Sequence, residues 1–141
     1  MILYLDTSSM VKLYVEEKLS AQIKLMVEDA QVVATSRIAY VEARAAFVRK
    51  LRERGFSVVQ YRSIIRNLDQ DWENYFLLDV TDNLVKLAGR LAEKHALRGF
   101  DAIHLASGAI LRQQSERAVT FSCFDETLTS AAHKEGLRVA K

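Results

Sequence analysis

Short apolar runs recur along the chain, and longer stretches in which apolar residues return every three or four positions lie between them. The runs ILYL (2–5), VVAT (32–35), YFLLDV (75–80), AVTFS (118–122) and LRVA (137–140) read as strands. The stretches at roughly 9–16, 20–29, 37–54, 57–73, 82–95, 100–114 and 126–135 carry the helical period. Strands that alternate with helices predict an α/β fold, a parallel sheet covered on both faces. Hydroxyls or Asp stand where helices should begin: TSS (7–9), TS (35–36), Ser57 and TD (81–82). Gly55 and Gly136 stand where helices should end, and proline is absent.

Length changes the picture little: 141 residues suit one compact domain, expected to span 1–141. Half the residues are hydrophobic and 27% are charged, the balance of a globular protein and not of a disordered tail. The first residues lack a basic leader, and no run approaches the roughly 18 apolar residues of a membrane span. A cytoplasmic protein without membrane partners is the expectation. Cys123 is the sole cysteine and the histidines (His95, His104, His133) are scattered. There is no internal disulfide and no zinc spacing, so any metal must be held by oxygen.

The net charge of +2 says little, but its distribution says more. Residues 44–66 hold seven cations (Arg44, Arg49, Lys50, Arg52, Arg54, Arg62, Arg66) against Glu53, whereas 67–96 hold three cations against six acids. Such a basic stretch either meets a polyanion or forms a solvated helix face.

Four acids occupy unusual positions. Asp6 ends ILYL and Asp125 follows AVTFS by two residues, which places both at the carboxyl edge of the sheet, where open α/β folds bind ligands. Each could equally cap the helix that follows. Glu42, in RIAYVEARAAFVRKL, projects away from the bulky face of Tyr40, Ala43, Phe47, Val48 and Leu51, close to Ala45, Ala46 and Arg49; it reads as a ligand or as a first-turn acid suiting the helix dipole. Asp101 lies in GFDAIHLASGAIL, apolar on nearly every side. A carboxylate buried there must be neutralised, metal-bound, or paired with Arg98 or Arg112. His104, one turn on, reads as a hydrogen-bonded core histidine. Glu16 and Glu17 look like a solvated helix end, and Trp72, with Tyr75 and Phe76, belongs to a core or interface before a base-stacking platform.

The set Asp6, Glu42, Asp101 and Asp125, at intervals of 36, 59 and 24 residues, resembles the acidic quartet of the PIN-domain family, in particular its toxins of the VapC type. LDTSSMVKLYVEE resembles the first motif, YVEARAAF the second, LRGFDAIHLAS the third and FSCFDETLTSAAHKEGL the fourth. The chain departs from the family in having Cys123 where Ser or Thr often stands two residues before the fourth acid, with Ser122 one residue earlier. It also continues EEKLSAQ where the family often has Pro or Gly near the first turn.

The resemblance implies a three-layer α/β/α fold with a mostly parallel sheet of about four to five strands and about seven helices. It also implies a metal-dependent endoribonuclease, the toxin of a toxin–antitoxin pair. Clustered carboxylates repel one another unless a cation joins them, and oxygen-only ligands suit Mg²⁺ or Mn²⁺. In this reading Asp6 and Asp101 contact the ion, Glu42 and Asp125 complete the site, and Thr7, Ser8, Ser122 and His104 support it. Arg44, Arg49, Lys50 and Arg52 are the candidates for RNA phosphate. A cognate antitoxin and a homodimer are implied partners. The rival readings are a non-catalytic nucleic-acid-binding module on the same fold, a processing nuclease without an antitoxin, and a phosphatase with a strand-end Asp nucleophile. Ser8 stands where such a phosphatase would have its second Asp, and no glycine-rich phosphate loop occurs.

Overall fold

The computed structural model describes residues 1–140. In chain order the elements are β1 (Ile2–Leu5), α1 (Thr7–Tyr14), α2 (Ser20–Asp29), β2 (Val32–Ser36), α3 (Ile38–Arg52) and α4 (Val58–Trp72). There follow β3 (Phe76–Leu78), α5 (Asp82–His95), α6 (Gly99–Gln114), β4 (Val119–Ser122), α7 (Glu126–Lys134) and β5 (Arg138–Val139). The five strands form one sheet in the order β3-β2-β1-β4-β5, and every pairing is parallel. Seven helices cover it among the described residues, none long and apolar enough to cross a membrane.

The central strand shows why the sheet needs two helical layers. Successive strand side chains point to opposite faces. In β1, Ile2 and Tyr4 pack with residues of α5, α6 and α7, including Leu84, Leu105 and Leu128. Leu3 and Leu5 pack on the other side with Met10, Ile23, Phe47 and Leu68 of α1 to α4. All four β1 residues are buried, so the strand has no polar face to offer water. The chain leaves β1 for β2 and β3 on one side and returns to β4 and β5 on the other. The reversal opens a crevice at the carboxyl ends of β1 and β4.

Several element boundaries differ from the sequence reading. Helix α1 begins at Thr7, not at 9, because Asp6 itself supplies the cap, accepting from the Ser9 N–H. The TS pair stands one residue ahead of the cap position of α3: Ser36 still belongs to β2 and Arg37 holds that position without a side-chain bond, but the Ser36 hydroxyl accepts from the Ile38 N–H at 3.3 Å. Ser57 does cap α4, in a reciprocal capping box with Gln60, and Thr81 caps α5. Strands β3 and β5 are shorter than 75–80 and 137–140, because partners pair along only part of each run. Gly136 ends α7 as expected, at φ +85°, a backbone angle that favours glycine. Trp72 packs into the layer formed by α1 to α4, edge-on to Tyr40 and Tyr75.

Candidate functional site

Asp6, Glu42, Asp101 and Asp125 all line one cleft of 890 Å³ at this crevice. The local chain explains each placement. Asp6 follows β1, where its N–H bonds the Ser122 carbonyl and ties the ends of β1 and β4 together. Its Oδ1 accepts from the Ser9 N–H at 2.9 Å and from the Ser8 hydroxyl at 2.8 Å. Asp125 caps α7 in the same manner, Oδ2 accepting from the Leu128 N–H at 2.9 Å. Glu42 sits in the second turn of α3, not the first, and its Oε1 accepts from the Thr7 hydroxyl at 2.5 Å and from His104 Nε2 at 2.9 Å. Asp101 lies in the first turn of α6, with Arg98 Nε 3.4 Å from its Oδ2. Its side chain is 23% exposed, so the apolar surroundings of α6 stop short of burying it.

Capping and ligation therefore do not compete. Each of the four carboxylates commits one oxygen to protein donors and keeps a second that accepts no hydrogen bond from the described residues.

Beneath the acids runs a buried polar chain. Tyr4 Oη lies 2.8 Å from His104 Nδ1, and His104 Nε2 lies 3.0 Å from Thr7 Oγ1 as well as 2.9 Å from Glu42. A carboxylate only accepts, so Nε2 carries the proton it shares with Glu42. Burial raises the Asp6 carboxyl above its usual range, against the pull of His104, the Ser9 N–H and the Ser8 hydroxyl. Glu42 has the opposite balance. Burial also pushes it up, but the hydrogen bonds from His104 and Thr7 and the charge of His104 outweigh that and leave it lowered. Cys123 bonds Thr129 Oγ1 at 3.1 Å, and burial pushes its thiol up to about 12, so it stays protonated.

Of the supporting residues read from sequence, Thr7, Ser8 and His104 line the cleft, while Ser122 lies beneath it, its hydroxyl 2.8 Å from that of Ser9. Of the phosphate candidates, Arg49 and Lys50 line the cleft. Arg44 instead donates to the Tyr40 hydroxyl at 2.9 Å, and Arg52 does not reach the cleft. Sequence reasoning missed Lys12, Glu17, Phe100 and Phe124, and placed Arg98 only as an ion-pair partner; all five line the cleft. Arg98, Phe100 and Phe124 could have been found by their adjacency to Asp101 and Asp125. Glu17 is not a solvated helix end: it bridges Lys50 at 2.8 Å and Lys12 at 3.5 Å. Burial pushes its carboxyl up, but these two ammonium groups prevail and lower it.

The donor set is oxygen-only in its acids. Among the described residues no three acidic, histidine or cysteine side chains converge into a ready-made cage. Mg²⁺ does not need one, since it is held by one or two carboxylates and completes its shell with water and phosphate. Four carboxylates with an uncommitted oxygen each fit that mode.

The PIN domain family matches residues 3–134. Ribonuclease VapC45 of Mycobacterium tuberculosis (strain CDC 1551 / Oshkosh) is 32% identical over 143 residues, which span 99% of this chain and 94% of that protein. FitAcB from Neisseria gonorrhoeae superposes with a TM-score of 0.70 at 16% identity, covering 100% of this chain and 97% of that one. VapBC2 from Rickettsia felis, solved bound to a DNA fragment from their promoter, gives 0.63 at 15% identity over 99% of this chain and 98% of that one. The two structures speak for the shared fold, and the family match and the relative cover nearly the whole length. With the acids gathered at the β1/β4 crevice, they show that this chain belongs to the PIN domain family.

Proposed function

We propose that residues 1–141 form a single PIN domain acting in the cytoplasm as a Mg²⁺- or Mn²⁺-dependent endoribonuclease, the toxin of a toxin–antitoxin pair. The observation that carries this reading is the cleft in which Asp6, Glu42, Asp101 and Asp125 each keep an uncommitted oxygen, walled by Lys12, Arg49, Lys50 and Arg98. It is supported by the likeness to Ribonuclease VapC45 and, in fold, to a toxin–antitoxin complex from Klebsiella pneumoniae.

Asp6 and Asp101 would hold the ion, with Glu42 and Asp125 as its further carboxylates. The chemistry such an ion would supply there is Lewis acidity toward a phosphodiester and a lowered pKa for water. Thr7 and His104 fix one oxygen of Glu42, and Ser8 with the α1 N-terminus fixes one oxygen of Asp6, so neither carboxylate must reorganise to bind. The cleft cations hold the RNA phosphates in register. A cognate antitoxin covers the acids with a cationic side chain of its own, and the toxin forms a homodimer. Neutralising a carboxylate cleft with an Arg or Lys would exclude metal and phosphate together.

The test is cleavage of an RNA substrate with Mg²⁺, with Mn²⁺ and with EDTA, for the wild type, Asp6→Asn and Asp101→Asn. Activity is expected with metal in the wild type alone. Full activity in EDTA, or in either variant, would overturn the mechanism.

A further inference from the structure

Two phenylalanine rings at the cleft contribute to neither side of the core. Phe100, in the first turn of α6, is 59% exposed, and Phe124, between β4 and α7, is 37% exposed. Neither packs into the two hydrophobic clusters, yet both line the acidic cleft. Each directly precedes one of the acids, Phe100 before Asp101 and Phe124 before Asp125, so the backbone that presents a carboxylate presents a ring beside it. Exposing a large apolar ring forfeits the stabilisation its burial would bring, and two at one site call for an occupant. Cations complete the arrangement. The Lys12 ammonium lies 4.7 Å from the centre of the Phe124 ring, and Arg49, Lys50 and Arg98 line the same cleft. Cations and exposed aromatic faces sharing one cleft are the physical pattern for single-stranded nucleic acid, whose phosphates take the charges and whose bases take the rings, once a divalent ion offsets the carboxylates between them.

Resting on the ribonuclease reading, we infer that Phe100 and Phe124 are a base-stacking pair flanking the acidic centre, which takes the unstacked bases beside the reacting phosphate. A duplex cannot use them, because its bases already stack on one another. Stacking tolerates any base, so the pair selects strandedness rather than sequence.

The experiment measures binding of a labelled single-stranded oligoribonucleotide and of its duplex by fluorescence anisotropy, with cleavage followed in parallel. The proteins compared are the wild type, Phe100→Ala, Phe124→Ala, Phe100→Leu, Phe124→Leu, Phe100→Trp and Phe124→Trp. Each Ala variant is expected to lose roughly 5- to 150-fold in affinity for the single strand. Leu should not restore it although it keeps the apolar bulk, and Trp should. Abasic sugars beside the cleavage site should abolish the difference between wild type and the Ala variants. Equal affinity in the Leu variants, or tight abasic binding that remains ring-dependent, would overturn the inference. So would RNA affinity that ignores both rings while affinity for a purified antitoxin depends on them, since that assigns the rings to a protein interface. Ring-dependent binding without any cleavage would instead leave the stacking pair standing and remove the ribonuclease reading. Cleavage by ring variants at the wild-type rate and affinity would do the reverse.

Discussion

Asp6 and Glu42 share the cleft, but folding shifts their carboxyls in opposite directions, because Asp6 is almost wholly buried while Glu42 keeps strong donors on a partly exposed group. A raised carboxyl binds its proton more tightly in the folded chain. Its contribution is therefore fully present below the unfolded value, near pH 3.9 for Asp, and is lost as pH rises through the folded value. A lowered carboxyl does the reverse, stabilising above about pH 4.3 for Glu and losing that stability as pH falls through the folded value. In EDTA at pH 7, thermal melts should thus show Asp6→Asn at or above the wild-type midpoint and Glu42→Gln below it. Both differences should shrink as the buffer is taken below pH 4. Asp101 rests on a single surface contact. Arg98 is its only ion-pair partner among the described residues and is itself exposed, and such pairs contribute about 0–1 kcal/mol. Asp101→Asn should therefore leave the EDTA midpoint unchanged; a clear fall would assign Asp101 a structural ion pair. Removing the Tyr4 hydroxyl is the opposite kind of change, because it leaves the buried Nδ1 of His104 without its partner. Tyr4→Phe should cost about 1–3 kcal/mol in urea unfolding.

At the scale of elements, α6 is held against the sheet by a single missing side chain. A Cβ on Gly108 would lie 2.9 Å from Phe121 Cδ2 and 3.1 Å from Cε2, and the Phe121 ring cannot retreat because it stacks on Tyr4 with 5.1 Å between centres. Gly108→Ala gains up to about 1 kcal/mol of helix propensity but forces overpacking of about 1–3 kcal/mol. A net loss in urea unfolding is expected, with cleavage weakened as well, since α6 carries Asp101 and His104. Helix α4 offers a cleaner measure: Ser57→Ala breaks a reciprocal cap and should cost about 1 kcal/mol. Caps of this kind were legible in the sequence because a hydroxyl beside a helical period has a local cause. The start of α3 was displaced by a residue, because the backbone of Ser36 is held in β2 by pairing with β3, a contact between residues 42 apart in the chain, while its hydroxyl still reaches the Ile38 N–H. The first turn of α1 was misplaced for a related reason, since the acid read as a possible ligand was also the cap.

For the whole molecule, the cleft brings together five carboxylates (Asp6, Glu17, Glu42, Asp101, Asp125) and four cations. By itself it does not attract a polyanion, and one divalent ion would reverse its sign. RNA binding should therefore weaken in EDTA. With metal present, three or four phosphate contacts predict that log K falls against log salt with a slope of about −2 to −3 on a single strand. A salt-independent affinity would remove the cleft cations from the RNA interface. The sequence by itself determined the alternation of strands and helices, the burial of β1 and the identity of the four acids, because period, composition and motif words are local properties of the chain. It could not decide which cations join those acids. Lys12, Arg49, Lys50 and Arg98 meet only when α1, α3 and α6 pack around the β1/β4 crevice, whereas Arg44 and Arg52 of the same basic run turn elsewhere. Nor could it decide whether Asp6 was cap or ligand. The tertiary structure shows that the cap engages one oxygen and leaves the other uncommitted, because an α-helix N-terminus draws on a single lone-pair direction of a carboxylate that has two oxygens to give.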